Sequence, residues 1–316
     1  MSATFGRRKQ WLATLLGTPT GIAGVVLMAV LVLLAIIGPP IWGDAAVKSD
    51  FLRTLLPPST SHPLGTNGSG QDNLARVLVG TRLSLLMAAG SVAIAATIGL
   101  VSGALLVTVG GRVQRIGATI IDTWLGFPSI LLSVLIIAVL EKGRGAIVIA
   151  IGFSIAPFFA RITLTSAASV VGLDYVAAGR LLGLSRWRIA HRYVLGNIID
   201  SLVVAIFSMF GQCLIAISAL TYLGFGGARD GIESWTSIDW GSVLNDSVRN
   251  FRDQPASVLG PAIAIAIAGV AFGWFGDALG RSLNPRLTVR SASGRSLRSS
   301  RASASGGATA NASVNS

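Results

Sequence analysis

The chain has 316 residues, of which 52% are hydrophobic and 12% charged, with a mean hydropathy of +0.70 and a net charge of +12. Charged residues are about half the roughly 25% usual in soluble proteins, too few to cover a water-facing surface of this size. This composition excludes a soluble enzyme, a secreted disulfide scaffold and a disordered regulator, and makes part of the solvent lipid.

Uncharged runs mark the expected spans in chain order. Residues 1–17 carry Arg7, Arg8 and Lys9 and precede a first span at 18–42 with the apolar core Gly21–Ile37. That core is longer than a signal-peptide h-region of roughly 7–15 residues, so an uncleaved anchor is expected. Residues 43–82 form a first outer connection, with Pro57-Pro58 and a Gly/Ser/Asn patch at 65–70. The second span is 83–111, where Ser91, Ala95, Gly99 and Gly103 recur every fourth residue as a small-residue seam for a neighbouring helix. The third is 116–140, with Asp122 near its start, and the fourth is 145–160, with Pro157 near its end. The fifth and sixth are 201–228 and 254–276. Ala262–Ala268 alternates like a strand, but a lone strand cannot satisfy its backbone in lipid, so helix is expected. Residues 287–316 are Ser, Ala, Gly and Arg and cannot bury a core, so a disordered tail is expected. The reading is an all-α polytopic membrane protein with six transmembrane helices.

Six spans place both termini on one side with the 161–200 connection. Arg7, Arg8, Lys9, Arg112 and Arg115 lie there, with the arginines of 161–192 and 281–301. By the positive-inside rule that side is cytoplasmic. Topology and anionic lipid then account for the basic charge, and no aromatic-interleaved basic patch suggests nucleic acid. The expected partner of this charge is membrane lipid.

Catalytic and metal chemistry have little material. Cys213 is the one cysteine, and His62 and His191, the two histidines, are expected on opposite sides. No metal site, cofactor or catalytic residue is expected. Lys9, Lys48 and Lys142 do not follow glycine, so no P-loop is present. Asp122, Asp200 and Asp277 lie near span ends, leaving no mid-membrane carboxylate for ion coupling by a stand-alone transporter, the alternative from another class. In the fifth span Ser208 and Gln212 share a small, polar face. It lines a translocation path or makes an interhelical hydrogen bond.

The 161–197 connection is too long for a turn and reads as two short helices. Asp174 can cap the first, Gly183 ends it, and Ser185 can cap a second through Arg192. Tyr175, Ala178 and Leu182 share one face. Such a helix either plugs a groove on a partner or lies flat on the membrane.

The stretch Asp174-Tyr-Val-Ala-Ala-Gly-Arg-Leu-Leu-Gly183, followed by Leu195-Gly196-Asn197, resembles the EAA loop of binding-protein-dependent ABC importer permeases. More narrowly, the chain resembles the dipeptide/oligopeptide/nickel permease family, in the subunit with the shorter N-terminus. His62-Pro-Leu-Gly-Thr66, Gly70-Gln-Asp72 and Gly80-Thr-Arg82-Leu-Ser84 are similar to its HPLGTD, GRD and G-x-R-x-SL signature before the second span. Leu220-Thr-Tyr-Leu-Gly224 with Trp240-Gly241, and Gly276-Asp277 with Asn284-Pro285-Arg286, are similar to its LSFLG…WG and GD…DPR segments. The resemblance covers about 20–286. Asn67 stands where the signature has aspartate, Gln71 where it has arginine, and Gly179 where the EAA loop has its second alanine. Gly196 replaces a proline, and Ile217 and Ser218 occupy a region where an acid is usual.

The resemblance implies the type I ABC importer permease fold, with a permease core at 83–286, in a bacterial cytoplasmic membrane. It implies a second homologous permease, two ATP-binding subunits and an extracytoplasmic solute-binding protein as partners. ATP hydrolysis falls to the partners. Asp174, Tyr175, Ala177, Ala178, Gly179, Leu182, Gly183, Arg186 and Arg188 become the ATPase-coupling loop. The implied cargo is a di- or oligopeptide, with nickel, glutathione, an opine or haem as alternatives.

Overall fold

The computed structural model describes residues 16–171, 188, 195–227 and 234–283. Among them the protein is helical, with one isolated bridge, Thr66–Asp72, and no named strand. Helix α1 is Pro19–Val47; Thr18 caps it by accepting from Gly21 N at 3.2 Å, and Pro19 supplies a pre-set φ in the first turn. Helix α2 is Asn73–Val109, capped by Asp72, whose Oδ1 accepts from Ala75 N at 2.8 Å. Helices α3 and α4 are Gly111–Leu125 and Ser129–Leu140. Helix α5 is Arg144–Val171 and α6 is Leu195–Tyr222. Helices α7 and α8 are Trp240–Arg249 and Ala256–Leu283.

Several boundaries differ from the uncharged runs, each for a physical reason. Helix α2 starts ten residues before the expected second span, so the Gly80–Ser84 signature lies inside the helix and not before it. At 37 residues α2 is about 55 Å long. That exceeds the roughly 30 Å of hydrocarbon, so its charged first turns can project beyond the lipid. Helix α5 continues past residue 160, where Arg161 is exposed and can stay solvated, 3.2 Å from Asp122. Pro157 lies inside α5 and does not end it. The expected third span is two helices bent by 91°. Pro128 has no N–H to continue the α3 ladder and disfavours helical backbone at Phe127, so the chain breaks at Gly126–Pro128. Residues 234–255, between α6 and α8, contain helix α7. The strand-like Ala262–Ala268 run is helical, as expected.

Five helices are long and apolar enough to cross a membrane, and the bent pair α3–α4 makes six when taken as one span. The contacts show that this pair traverses the bundle. The α1–α2 connection, the start of α5, the end of α6 and the start of α8 gather at one end of the bundle: Gly143 N donates to Phe225 O at 3.0 Å, and Gln254 donates to Leu55 O. Gly110 lies at the opposite end of α2. The chain between Gly110 and Gly143 therefore returns across the bundle once.

Small residues let the helices approach closely, as the seam spacing implied. On α2, Ser91 and Ala95 are buried, and Ser91 Oγ donates to Val148 O on α5 at 3.1 Å. A Cβ at Gly99 would sit 2.4 Å from Phe159 Cβ and 2.6 Å from Ala160 N. Elsewhere a Cβ at Gly24 of α1 would lie 2.7 Å from Phe275 N of α8. We expect Gly99→Ala to destabilise the folded protein by roughly 1–3 kcal/mol, because the contact is with backbone that cannot yield cheaply. Gly273→Ala, where nothing lies within 4 Å, is the matched control. Thermal unfolding in detergent compares them, and equal melting temperatures would refute the seam.

Candidate functional site

The 62–72 loop is held by its own side chains. His62 Nδ1 lies 2.8 Å from Asp72 Oδ2, while the other Asp72 oxygen caps α2. Thr66 Oγ1 accepts from Leu56 N at 2.8 Å and donates to Arg53 O. Gly70 has φ +75, and a Cβ there would fall 1.9 Å from Asp50 O, so this turn needs glycine on both counts. Asn67 Oδ1 accepts from the backbone of Ser69 and Gln71, and its Nδ2 donates to Gln71 Oε1 at 2.8 Å. Gln71 Nε2 donates to Val47 O at 3.1 Å, fastening the loop to the end of α1.

Arg76, one turn into α2, joins this loop to the rest of the bundle. Its guanidinium donates to Gln71 Oε1 and, at 3.0 Å, to Asp246 Oδ2 of α7. Arg76 is 1% exposed, yet it was not singled out in the sequence, where it lay in an outer connection. The only signal for it was a charge four residues after a capping aspartate. Helix α7 is pinned at its other end by Asp239, its N-cap in a capping box, which pairs with Arg144 Nε of α5 at 3.3 Å. Trp240 is buried, donating through Nε1 to Val77 O at 2.9 Å and through its backbone N–H to Ser84 Oγ at 3.0 Å. A Cβ at Gly241 would lie 1.8 Å from Thr221 Oγ1 and 2.3 Å from Ser218 O. The Trp240-Gly241 pair, the Leu220–Gly224 segment and the Gly80–Ser84 signature thus meet at one place. Ile217 and Ser218 are both buried there, so an acid at either position would enter a packed contact.

A second feature lies at the break in the third span. A cavity of about 260 Å³ is lined by Ser129, Ile130 and Ser133 of α4, Ile151 and Ile155 of α5, and Met209, Gln212, Cys213 and Ala216 of α6. Ser133 and Ser154 bridge α4 and α5 at 3.0 Å beside it. Gln212 is on this wall. Ser208 is not: it packs on Gly276 of α8, where a Cβ would meet its Oγ at 2.8 Å. The sequence separated neither role. The Gly126-Phe127-Pro128 break was the unread signal for the cavity. Asp174, Tyr175, Ala177, Ala178, Gly179, Leu182, Gly183 and Arg186 lie outside the described residues; Arg188 is described and is exposed.

Residues 95–289 match the family described as binding-protein-dependent transport system inner membrane component. The chain belongs to this family. It is a multi-pass permease component of a binding-protein-dependent transport system. The probable D,D-dipeptide transport system permease protein DdpC of Escherichia coli K12 is 30% identical over 89% of this chain and 92% of its own length. The glutathione transport system permease protein GsiD of Pectobacterium atrosepticum is 31% identical over 77% of this chain and 79% of its own. The nickel transport system permease protein NikC of Escherichia coli K12 is 30% identical over 77% and 86%. A solved amino acid ABC transporter with histidines aligns at TM-score 0.48 and 17% identity, over 65% of this chain and 93% of its own.

Two departures from the permease signature are halves of one contact. Asn67 and Gln71 replace a possible acid–base pair with a neutral amide pair, and Gln71 Oε1 also accepts from Arg76. Arginine has no acceptor, so Gln71→Arg would remove that bond and face a second guanidinium toward buried Arg76. We expect Gln71→Arg to destabilise the permease by about 1.5–3 kcal/mol, the range for a lost hydrogen bond to a charged group. Adding Asn67→Asp should return part of the loss. A double-mutant cycle on melting temperature measures this, and strictly additive effects would refute the coupling.

Proposed function

We propose that this permease is one of two homologous membrane subunits of an ATP-driven importer that carries di- or oligopeptides across a bacterial cytoplasmic membrane. The carrying observation is membership of a binding-protein-dependent transport family, supported by the lack of a Gly-Lys P-loop in the sequence. Two ATP-binding subunits supply the energy, and an extracytoplasmic solute-binding protein delivers cargo. The excess of arginine at 161–192 and 281–301 supports placing both termini in the cytoplasm. Peptide cargo is supported by relatives named for D,D-dipeptide, dipeptide, peptide and glutathione transport. The similarity to NikC favours nickel as the second reading.

Residues 172–194 connect α5 to α6, and both helices wall the cavity that holds Gln212. In our reading, ATP closes the ATPase pair, residues 174–188 move with it, and α5 and α6 shift the cavity between inward and outward access. Gln212 gives the path a polar contact, and Ser208 positions α6 on α8. The test is purification of the tagged chain in mild detergent with identification of co-purifying chains, followed by uptake of a labelled dipeptide in proteoliposomes. A second permease and ATPases should co-purify, and unlabelled peptide should compete where nickel does not. Uphill transport by the chain alone, or competition by nickel only, would overturn the reading.

A further inference from the structure

The end of the bundle that carries the 62–72 loop also holds a pocket of about 470 Å³ that the transport reading does not use. Its floor is Trp42 and Ala45 from the last turns of α1 and Leu74 from the first turn of α2. Its charged and polar lining is Lys48, Arg53, Asp50, His62 and Asp72, with Thr60 and Ser61. An apolar wall thus adjoins a charged one, in which two cations and two carboxylates take part. On α1 the exposed apolar stripe Val26, Val30, Leu33, Ile36 and Ile41 gives way to exposed Asp44 and Lys48 at this level. A lipid-facing stripe that turns polar marks the boundary between hydrocarbon and headgroups, and Trp42 at that boundary is a usual interfacial residue.

Charge on the rim is uneven. Asp50 is taken by Arg53 at 3.4 Å, and Asp72 by His62 and the α2 N-terminus. Lys48 has no carboxylate partner among the described residues. Lys48, with the Thr60 and Ser61 hydroxyls in the same lining and Arg53 mostly exposed in its pair with Asp50, offers the cationic contacts that the single negative charge of a phosphodiester needs.

Alongside, Phe51 is 77% exposed and Leu52 is 95% exposed. They form a 3-10 turn, Phe51–Arg53, three residues beyond α1. The turn is not free to fold inward. Asp50 Oδ1 accepts from Leu52 N, Asp50 N donates to Ser69 O, and Thr66 Oγ1 donates to Arg53 O. Two large apolar side chains are thus held outward next to a charged rim at the membrane boundary, an arrangement that suits lipid.

We propose that this pocket binds the headgroup phosphate of a membrane phospholipid through Lys48 and Arg53, with Phe51 and Leu52 inserted into the headgroup–acyl boundary beside it. The test uses the full chain with its co-purified subunits. Native mass spectrometry with added phosphatidylglycerol should show a retained lipid that Lys48→Gln/Arg53→Gln loses, with melting temperature unchanged because both residues are exposed. Inorganic phosphate should not displace the lipid; displacement would make the pocket a site for free phosphate and overturn the lipid assignment. Equal lipid retention by wild type and variant would also overturn it. A fluorophore on Leu52→Cys in proteoliposomes should be quenched by nitroxide lipid and spared by aqueous iodide, with buried Cys213 leaving the label selective. Quenching by iodide, or protection from both quenchers, would place the tip in water or under another chain and refute the insertion.

Discussion

Arg76→Met is expected to leave little folded permease in the membrane. The guanidinium is almost wholly buried and joins three elements: the loop through Gln71, α7 through Asp246 at 3.0 Å, and the end of α1 through the Ala46 carbonyl. Methionine fills much of the volume but removes the guanidinium from Asp246 and one of the two donors to Gln71 Oε1. A lost hydrogen bond to a charged group costs about 1.5–3 kcal/mol, and Arg76 makes several. That is a large part of the roughly 5–15 kcal/mol that holds a folded domain together. Asp246→Asn in the same background removes the charge that has lost its guanidinium, so the double variant should be more stable than Arg76→Met alone. Yield of detergent-stable protein and its melting temperature provide the measurement. A wild-type melting temperature for Arg76→Met would show that the pairing contributes nothing.

The second large effect concerns the proposed coupling loop. Ala178→Asp or Gly183→Glu should leave membrane insertion and subunit assembly intact and abolish transport, while ATP hydrolysis by the complex continues or becomes independent of the binding protein. Ala178 shares a sequence face with Tyr175 and Leu182, and a carboxylate there would have to be desolvated inside an apolar groove. Both variants leave α5 and α6 unchanged, so a failure of transport with normal assembly isolates the lever. Wild-type uptake by both variants would sink the assignment of residues 174–188, without touching family membership.

Much of the architecture was readable from patterns with a single cause. Runs without charge located the spans because an ionised group in hydrocarbon is costly. The four-residue spacing of Ser91, Ala95, Gly99 and Gly103 located the α2–α5 contact because only small side chains allow that approach. The same rule misplaced boundaries wherever a charge had a partner. Arg161 sits in α5 at an exposed position beside Asp122, and buried Arg76 sits in α2 because Gln71 and Asp246 await it. A partner 170 positions away leaves no local trace. Asn67 and Gln71 read as two separate oddities until the loop geometry put them 2.8 Å apart.

By itself, then, the amino-acid order determined that this is a six-span membrane protein of a transport family. Hydrophobicity, small-residue spacing and short motifs are local properties, and lipid admits few alternatives to helix. Tertiary structure decided the 91° break and the cavity beside it, the burial of Arg76 and the meeting of the separate motifs around α7. Those depend on which distant groups face each other across the bundle, and hydrogen bonds between distant segments form only once the helices have packed.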